Sequence, residues 1–316
     1  MPSTRTIGLL LLVGYALSQG LRDVYLAGAF GAIGFFDLVL LAFTSATAFF
    51  TVCLAVARPT DFKLLLRHSR SLLAVNITTT IAWLCYFGAL NLIEPSVVST
   101  IFAGVSPIGV ALFALLGLRS ADGAAAQPAE RRLHIAILAA MAFLAWVVLS
   151  GRAGTASISL SDAVLGLTLA ACSGLAITAE TVFAKRMNEV GISAIGVLAL
   201  RFVMIALVGA IAVFGFGESQ MGDMAGGEIG LVTLKILILM VAPLYLVGKG
   251  LAITSPLTTG IVAAFGPTVV FFMQAAEDRV PTSYWVLAAT ILYVVLTCAS
   301  LLLRTLKTAG KRRHKT

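Results

Sequence analysis

The chain has 316 residues, of which 59 % are hydrophobic and 11 % charged. Soluble domains carry about 25 % charged residues, so a water-soluble globular fold is excluded. The formal net charge is +8, and the placement of its basic residues accounts for it better than nucleic-acid binding does.

The apolar runs are long. Residues 30–57 hold one charge, Asp37, and 71–93 and 95–118 hold none. A helix crosses a bilayer with about 20 apolar residues, whereas barrel strands are about ten residues long and alternate polar with apolar. The chain therefore reads as an all-α integral membrane protein. Ten spans are expected, near 7–24, 30–56, 71–92, 95–117, 133–150, 162–184, 191–214, 230–250, 256–276 and 282–303. The first follows a short basic tail without a small-residue cleavage site and is read as a retained helix. The longest connection, 118–132, is rich in Ala and Gly. Cys53, Cys85, Cys172 and Cys298 fall inside spans at no metal-like spacing and read as small packing residues. The three histidines form no cluster with acids, so no metal or other cofactor is expected.

Ten spans place both termini on one side. Of the 22 lysines and arginines, only Arg22, Arg152 and Arg279 then fall on the opposite side, and Arg201 and Lys235 fall inside spans. Basic residues mark the cytoplasmic side, so both termini are expected in the cytoplasm. The expected location is the plasma membrane, the inner membrane in a bacterium. The tail GKRRHKT reads as a topology anchor touching anionic lipid.

Charged and polar side chains inside spans are the candidates for function, because a charge at mid-membrane costs roughly 3 kcal/mol. In chain order, Tyr15, Ser18 and Gln19 lie on the first span. Asp37 enters the second; it either pairs with Arg201 across the molecule, which offsets the burial cost of both, or takes up and releases a proton, a coupling role. On the third span Asn76, Thr79 or Thr80, Trp83 and Tyr86 recur at three or four residues and share one helical face. Such a stripe lines a cavity, where the two rings can stack on a flat substrate or hold a cation, or it bonds to neighbouring helices. Glu180 ends the sixth span near Lys185 and Arg186 and reads as a gate or a surface ion pair. Arg201 sits deep in the seventh and either binds an anionic group or joins a packing ion pair. On the eighth, Lys235 is placed to reach the interface, and Tyr245 is expected to face the same space as the third-span stripe.

One frame occurs twice: SPIGVALFALLGLR at 106–119 and GPTVVFFMQAAEDR at 266–279 each run from a second-position proline, Pro107 or Pro267, to a terminal arginine. Arg119 and Arg279 fall on opposite sides of the membrane. Two halves of five spans each, 1–151 and 152–316, account for this, because an odd number of crossings returns the second half upside down. Inverted repeats mark secondary transporters, with the substrate near mid-membrane between the repeats. Pro95 and Pro256 open the fourth and ninth spans. Pro107 and Pro267 lie inside them and favour kinks, which would let the paired helices rock as gates. Tyr86 and Tyr245, and Asn76 and Lys235, occupy matching positions.

Several stretches carry a family likeness: YFGALNLIEPSVVSTIFAGVSP (86–107), SGLAITAETVFAKRM (173–187), ALRFVMIAL (199–207) and AEDRVPTSYWVLAATILYV (276–294). With the matching prolines, they make the chain resemble the drug/metabolite transporter superfamily, EamA-like branch. Departures from that pattern are Asp37 where the family often has an arginine, LGLRS (116–120) where an acidic residue is common, and no glycine in the last span. The resemblance implies a ten-helix carrier with its fifth and tenth helices at the periphery. Its cargo is expected to be a small polar or amphipathic metabolite, such as an amino acid, and export is the common direction.

No Walker-type phosphate loop is present. A membrane-embedded enzyme would need clustered His, Asp or Glu and is not expected. A channel would show a ring of like charges or a carbonyl filter. The alternative functions are a lipid flippase or scramblase, for which lipid is cargo rather than solvent, or a channel.

Overall fold

The computed structural model describes residues 4–115, 128–154, 158–222 and 226–313, and every regular element among them is helical. α1 (Thr4–Ile33) and α2 (Phe35–Ala57) meet at Gly34, whose φ of 91° is open to glycine and strained for other residues. A connector, α3 (Asp61–Arg67), leads into α4 (Ser69–Leu92). Next come α5 (Pro95–Gly104), α6 (Ser106–Leu115), α7 (Pro128–Leu149) and α8 (Leu160–Glu189). The seventh crossing is made by α9 (Ala194–Leu200), α10 (Val203–Ala210) and a π-helical turn, Ile211–Gly215. α11 (Gly226–Ile253), α12 (Pro256–Ala264), α13 (Gly266–Glu277) and α14 (Tyr284–Arg313) complete the chain. Among the described residues, nine helical runs are long and apolar enough to cross a membrane, and the fourth expected span is represented by a shorter apolar stretch, Pro95–Val110.

Several boundaries differ from the sequence reading; the last helix, for one, runs to Arg313 instead of ending near 303. The first span does not end near residue 24: α1 continues to Ile33 and carries Arg22 and Asp23 with it. These charges bond to each other, so neither needs water and the helix has no reason to stop. The loop expected from 118 to 132 is already helical from Pro128. Its remainder, with Arg119, lies outside the described residues.

Serine caps several helix starts. Ser159, Ser193 and Ser255 each accept the N–H three residues on, those of Asp162, Gly196 and Thr258, satisfying one of the donors every helix leaves free. Pro95 and Pro256 stand in the first turns of α5 and α12, where a missing N–H does no harm. The fourth and ninth crossings break at matching points. Val105 and Phe265 separate the half-helices, and Pro107 and Pro267 stand in the first turns of α6 and α13. A proline lacks the donor that would continue the ladder.

Contacts between connections define two faces. On the face carrying the termini, Ser193 N–H donates to Asp61 Oδ2 at 3.0 Å. Hydrogen bonds from the Ser193 hydroxyl and N–H hold the Asp61 carboxyl below the usual carboxylate range. On the far face, Ser283 Oγ donates to the Arg152 carbonyl at 2.6 Å. Between the faces, α4 packs along α8, α1 along α11, α2 against α9 and α10, α5 against α13 and α7 against α14. Phe43, Phe87 and Phe202 are fully buried among these helices, whereas Leu10, Val52, Val56, Ile81 and Phe214 face outward, as lipid-facing side chains do.

Candidate functional site

The polar centre of the molecule is built on α1. Arg22 Nε and Nη2 donate to Asp23 Oδ1 at 2.9 and 2.8 Å. Tyr86 Oη, from α4, donates to Asp23 Oδ2 at 2.7 Å. Arg22 is 7 % exposed and Asp23 is fully buried, so each charge depends on the other. The guanidinium also lies over two α4 rings, 5.0 Å from the centroid of Trp83 and 5.9 Å from that of Tyr86. At 1.5 Å rise per residue, these side chains sit on the order of 10–16 Å below the far-face ends of their helices, near mid-membrane. Tyr15, about two turns back on α1, is within electrostatic reach of the pair.

A small cavity borders this centre, lined by Arg22, Ala82, Trp83, Tyr86, Phe102, Ser173 and Ile177. It lies where α1, α4, α5 and α8 meet. Ser173 Oγ donates to the Ala82 carbonyl at 2.7 Å, which ties α8 to α4 beside it. Gly174 lets α5 approach, since a Cβ there would collide with the Phe102 carbonyl. The rings form a continuous wall: Trp83 packs edge-on against Phe43 and Phe87, and Tyr86 against Phe102. Trp83 Nε1 is buried without a hydrogen-bond partner, as are the hydroxyls of Thr79 and Thr80 one turn away. Buried polar atoms normally find partners, so a free indole N–H beside a guanidinium offers unused donors to an incoming acceptor. The free volume is about 20 Å³, room for about one water molecule. Anything larger would need the surrounding helices to part.

The other predicted residues are distributed differently. Asp37 and Arg201 do not pair. Asp37 accepts Ser219 Oγ–H at 3.1 Å and Gln220 N–H at 2.7 Å, holding the far-face loop over the start of α2. Arg201 Nη1 instead bonds Glu180 Oε1 at 3.1 Å, and its guanidinium lies over Phe202. Glu180 is thus paired with Arg201 inside the bundle, a partner the sequence reading did not weigh.

Asn76 does not face the cavity. Its Nδ2 donates to the Leu200 carbonyl at 2.9 Å and its Oδ1 accepts Met204 N–H at 3.1 Å. It bridges the break between α9 and α10, supplying partners to backbone that the membrane cannot hydrate. Tyr245 is 58 % exposed on the outer surface of α11, with Lys249 over its ring, because α11 turns a different face to α1 from the one the third-span stripe suggested. Lys235 is also exposed. Ser18 Oγ bonds the Tyr15 carbonyl of its own helix, and Gln19 is half-buried.

Sequence reasoning missed Arg22 and Asp23 because it ended the first span at residue 24 and counted Arg22 among the far-side loops. The available signal was the apolar stretch after them, VYLAGAFGAIGFF (24–36), which continues a span rather than opening one. Phe102 and Ser173 carried no individual signal, since one aromatic and one serine in apolar helices stand out only once packing brings them together.

No family model matches the chain, and no curated protein matches it. A solved crystal structure of a protein aligns over 96 % of this chain and 96 % of its own length, with a TM-score of 0.61 and 19 % sequence identity. At that identity the match shows a shared fold alone.

Proposed function

We propose that the protein is a secondary transporter of the EamA-like kind. On this reading it carries a small polar or amphipathic metabolite across the membrane by alternating access. The observation that supports this best is the buried Arg22–Asp23–Tyr86 network beside an aromatic-walled cavity at mid-depth. A purely structural helix bundle has little use for a charged pair, an unpartnered indole N–H and a cavity at one point in the bilayer. The guanidinium and the Trp83 N–H offer donors to a carboxylate, phosphate or carbonyl, and Tyr86 and Phe102 offer flat faces to the rest of the cargo.

The helix pairing supports an inverted repeat. Exchanging each of the first five crossings for its counterpart in the second five turns the α4–α8 contact into the α11–α1 contact. It maps two other principal contacts, α2 with α9 and α10 and α7 with α14, onto themselves, whereas α5 with α13 would become α12 with α6, a pair that is not among the principal contacts. The matched breaks at Val105 and Phe265 supply points where the two halves can flex. With Arg22 removed from the far-side loops, the basic residues concentrate still more on the termini face, which supports cytoplasmic termini in a bacterial inner membrane.

A thermal-shift panel of amino acids, nucleosides, polyamines, quaternary amines and phosphorylated metabolites tests the reading. A ligand bound only by the folded state raises the melting temperature by mass action. The expected result is a saturable shift from one class, lost in Trp83→Ala. Silence from every soluble class, with lipid alone stabilising, would overturn the metabolite reading in favour of a lipid substrate.

A further inference from the structure

A second buried acid lies away from the central cavity, on the far face. Glu94 joins α4 to α5 and is 1 % exposed. Its Oε2 accepts Gln274 Nε2–H at 2.9 Å, and Gly154 packs against the same oxygen. Gln274, on α13, has its orientation fixed at the other end, because its Oε1 accepts the Ser96 N–H of α5 at 3.1 Å. One amide thus clamps the far-face ends of α5 and α13, and the connection after α7 closes over them. The second Glu94 oxygen, Oε1, is buried with no partner. Glu94 also lines a far-face cavity of about 110 Å³, shared with Ala27, Asn91 and Arg279, large enough to admit water.

We propose that Glu94 is a proton-binding site whose occupancy latches α5 to α13 and so closes the far face. The proposal rests on the alternating-access reading for its purpose, though not for its test. Opening the far face requires α5 and α13 to separate, which breaks the Gln274 clamp and exposes the carboxyl to water. A neutral carboxylic acid can stay buried at Oε1, whereas a carboxylate with one bare oxygen is costly to bury.

The charged groups around Glu94 leave its charge uncompensated. Arg279 donates to the Val24 and Ala27 carbonyls and to Glu277. Arg152, on the connection that supplies Gly154, stacks on Trp146 and Trp285. Asp162, in the first turn of α8, is held by Ser159, and Asp278 is exposed. Among the described residues no cation forms an ion pair with Glu94.

Burial raises the Glu94 carboxyl from its ordinary value of 4.5 to about 7, against the lowering effect of the Gln274 and Gly154 hydrogen bonds. An acid whose value is raised in the closed state favours closure most fully below its value in the open, hydrated state. That advantage is lost as pH rises from about 4.5 to about 7 and is flat above. Each pH unit between the open-state and closed-state values changes the equilibrium tenfold, so the open-to-closed ratio should rise on the order of a hundredfold across this window.

The test is pulsed electron paramagnetic resonance on the full chain in lipid nanodiscs. Spin labels are placed at Asn91→Cys and Thr282→Cys, with the native cysteines replaced, and distances are read from pH 4.5 to 8. Expected is a transfer to longer distances as pH rises to 7 and a plateau above. Glu94→Gln should stay short at every pH, and Gln274→Leu should shift the population toward longer distances even at low pH. A distance that ignores pH, a transition that survives in Glu94→Gln, or one driven by sodium at fixed pH would overturn the proposal. The labels report opening without cargo: a titrating distance with no binder in the thermal-shift panel would sink the metabolite reading and leave the latch standing. A binder with a pH-independent distance would do the reverse.

Discussion

At the residue scale, two ion pairs among the described residues lie within the helices, Arg22–Asp23 and Arg201–Glu180, and they differ in what surrounds them. Arg201 and Glu180 join α9 and α10 to α8 through a single contact at 3.1 Å, beside a break that Asn76 already repairs. Arg22 and Asp23 are consecutive on α1, where neighbours do not normally face one another. The long arginine folds back on the carboxylate, with Tyr86 completing the set. Removing one partner from a buried pair strands the other charge, so Asp23→Ala should cost about 3–5 kcal/mol and lower the melting temperature. Arg22→Met with Asp23→Leu replaces both by apolar side chains of similar bulk, which is often near neutral. That double variant should therefore melt near the wild-type temperature yet lose the ligand-induced shift. A double variant as unstable as Asp23→Ala would make the pair a packing device.

At the element scale, side chains and small residues decide where helices approach or break. Ser173 bonds the backbone of α4, and Gly174 lets the α5 backbone lie against α8 at the cavity wall. Gly174→Ala forces a methyl group against the Phe102 carbonyl, and overpacking of this kind costs about 1–3 kcal/mol. The expected outcome is a lower melting temperature together with loss of the Trp83-dependent ligand shift, since Phe102 moves with α5. A variant with wild-type stability and shift would show that the crossing tolerates a wider gap.

At the scale of the whole molecule, ten crossings set which loops share a face. Cysteines placed at Arg67 and Arg131 should react with an impermeant thiol reagent only from the termini face. Those at Arg152 and Glu218 should react only from the far face. In intact cells the second pair alone should label if the termini are cytoplasmic; labelling of the first pair instead would invert the topology. The far-face latch and the α3–α9 contact at Asp61 and Ser193 lie at opposite ends of this bundle, so each can report on the opening of one side.

Hydrophobic run length by itself determined the all-helical, multi-pass class, because burying about 20 residues in hydrocarbon demands a helix regardless of neighbours. The prolines at 107 and 267 marked the helix breaks, because a missing N–H acts locally. Trp83 and Tyr86 were also legible, as polar aromatic residues in an apolar stretch. Partnership was not. Asp37 and Arg201 looked matched in sequence, yet each found a nearer partner, and Asn76 went to a broken backbone rather than to a cavity. Which acid meets which base depends on helix rotation and crossing, set by packing over the whole bundle. Only the tertiary structure therefore drew Arg22, Asp23, Tyr86 and Phe102 together, and set Glu94 against Gln274 across 180 residues of chain.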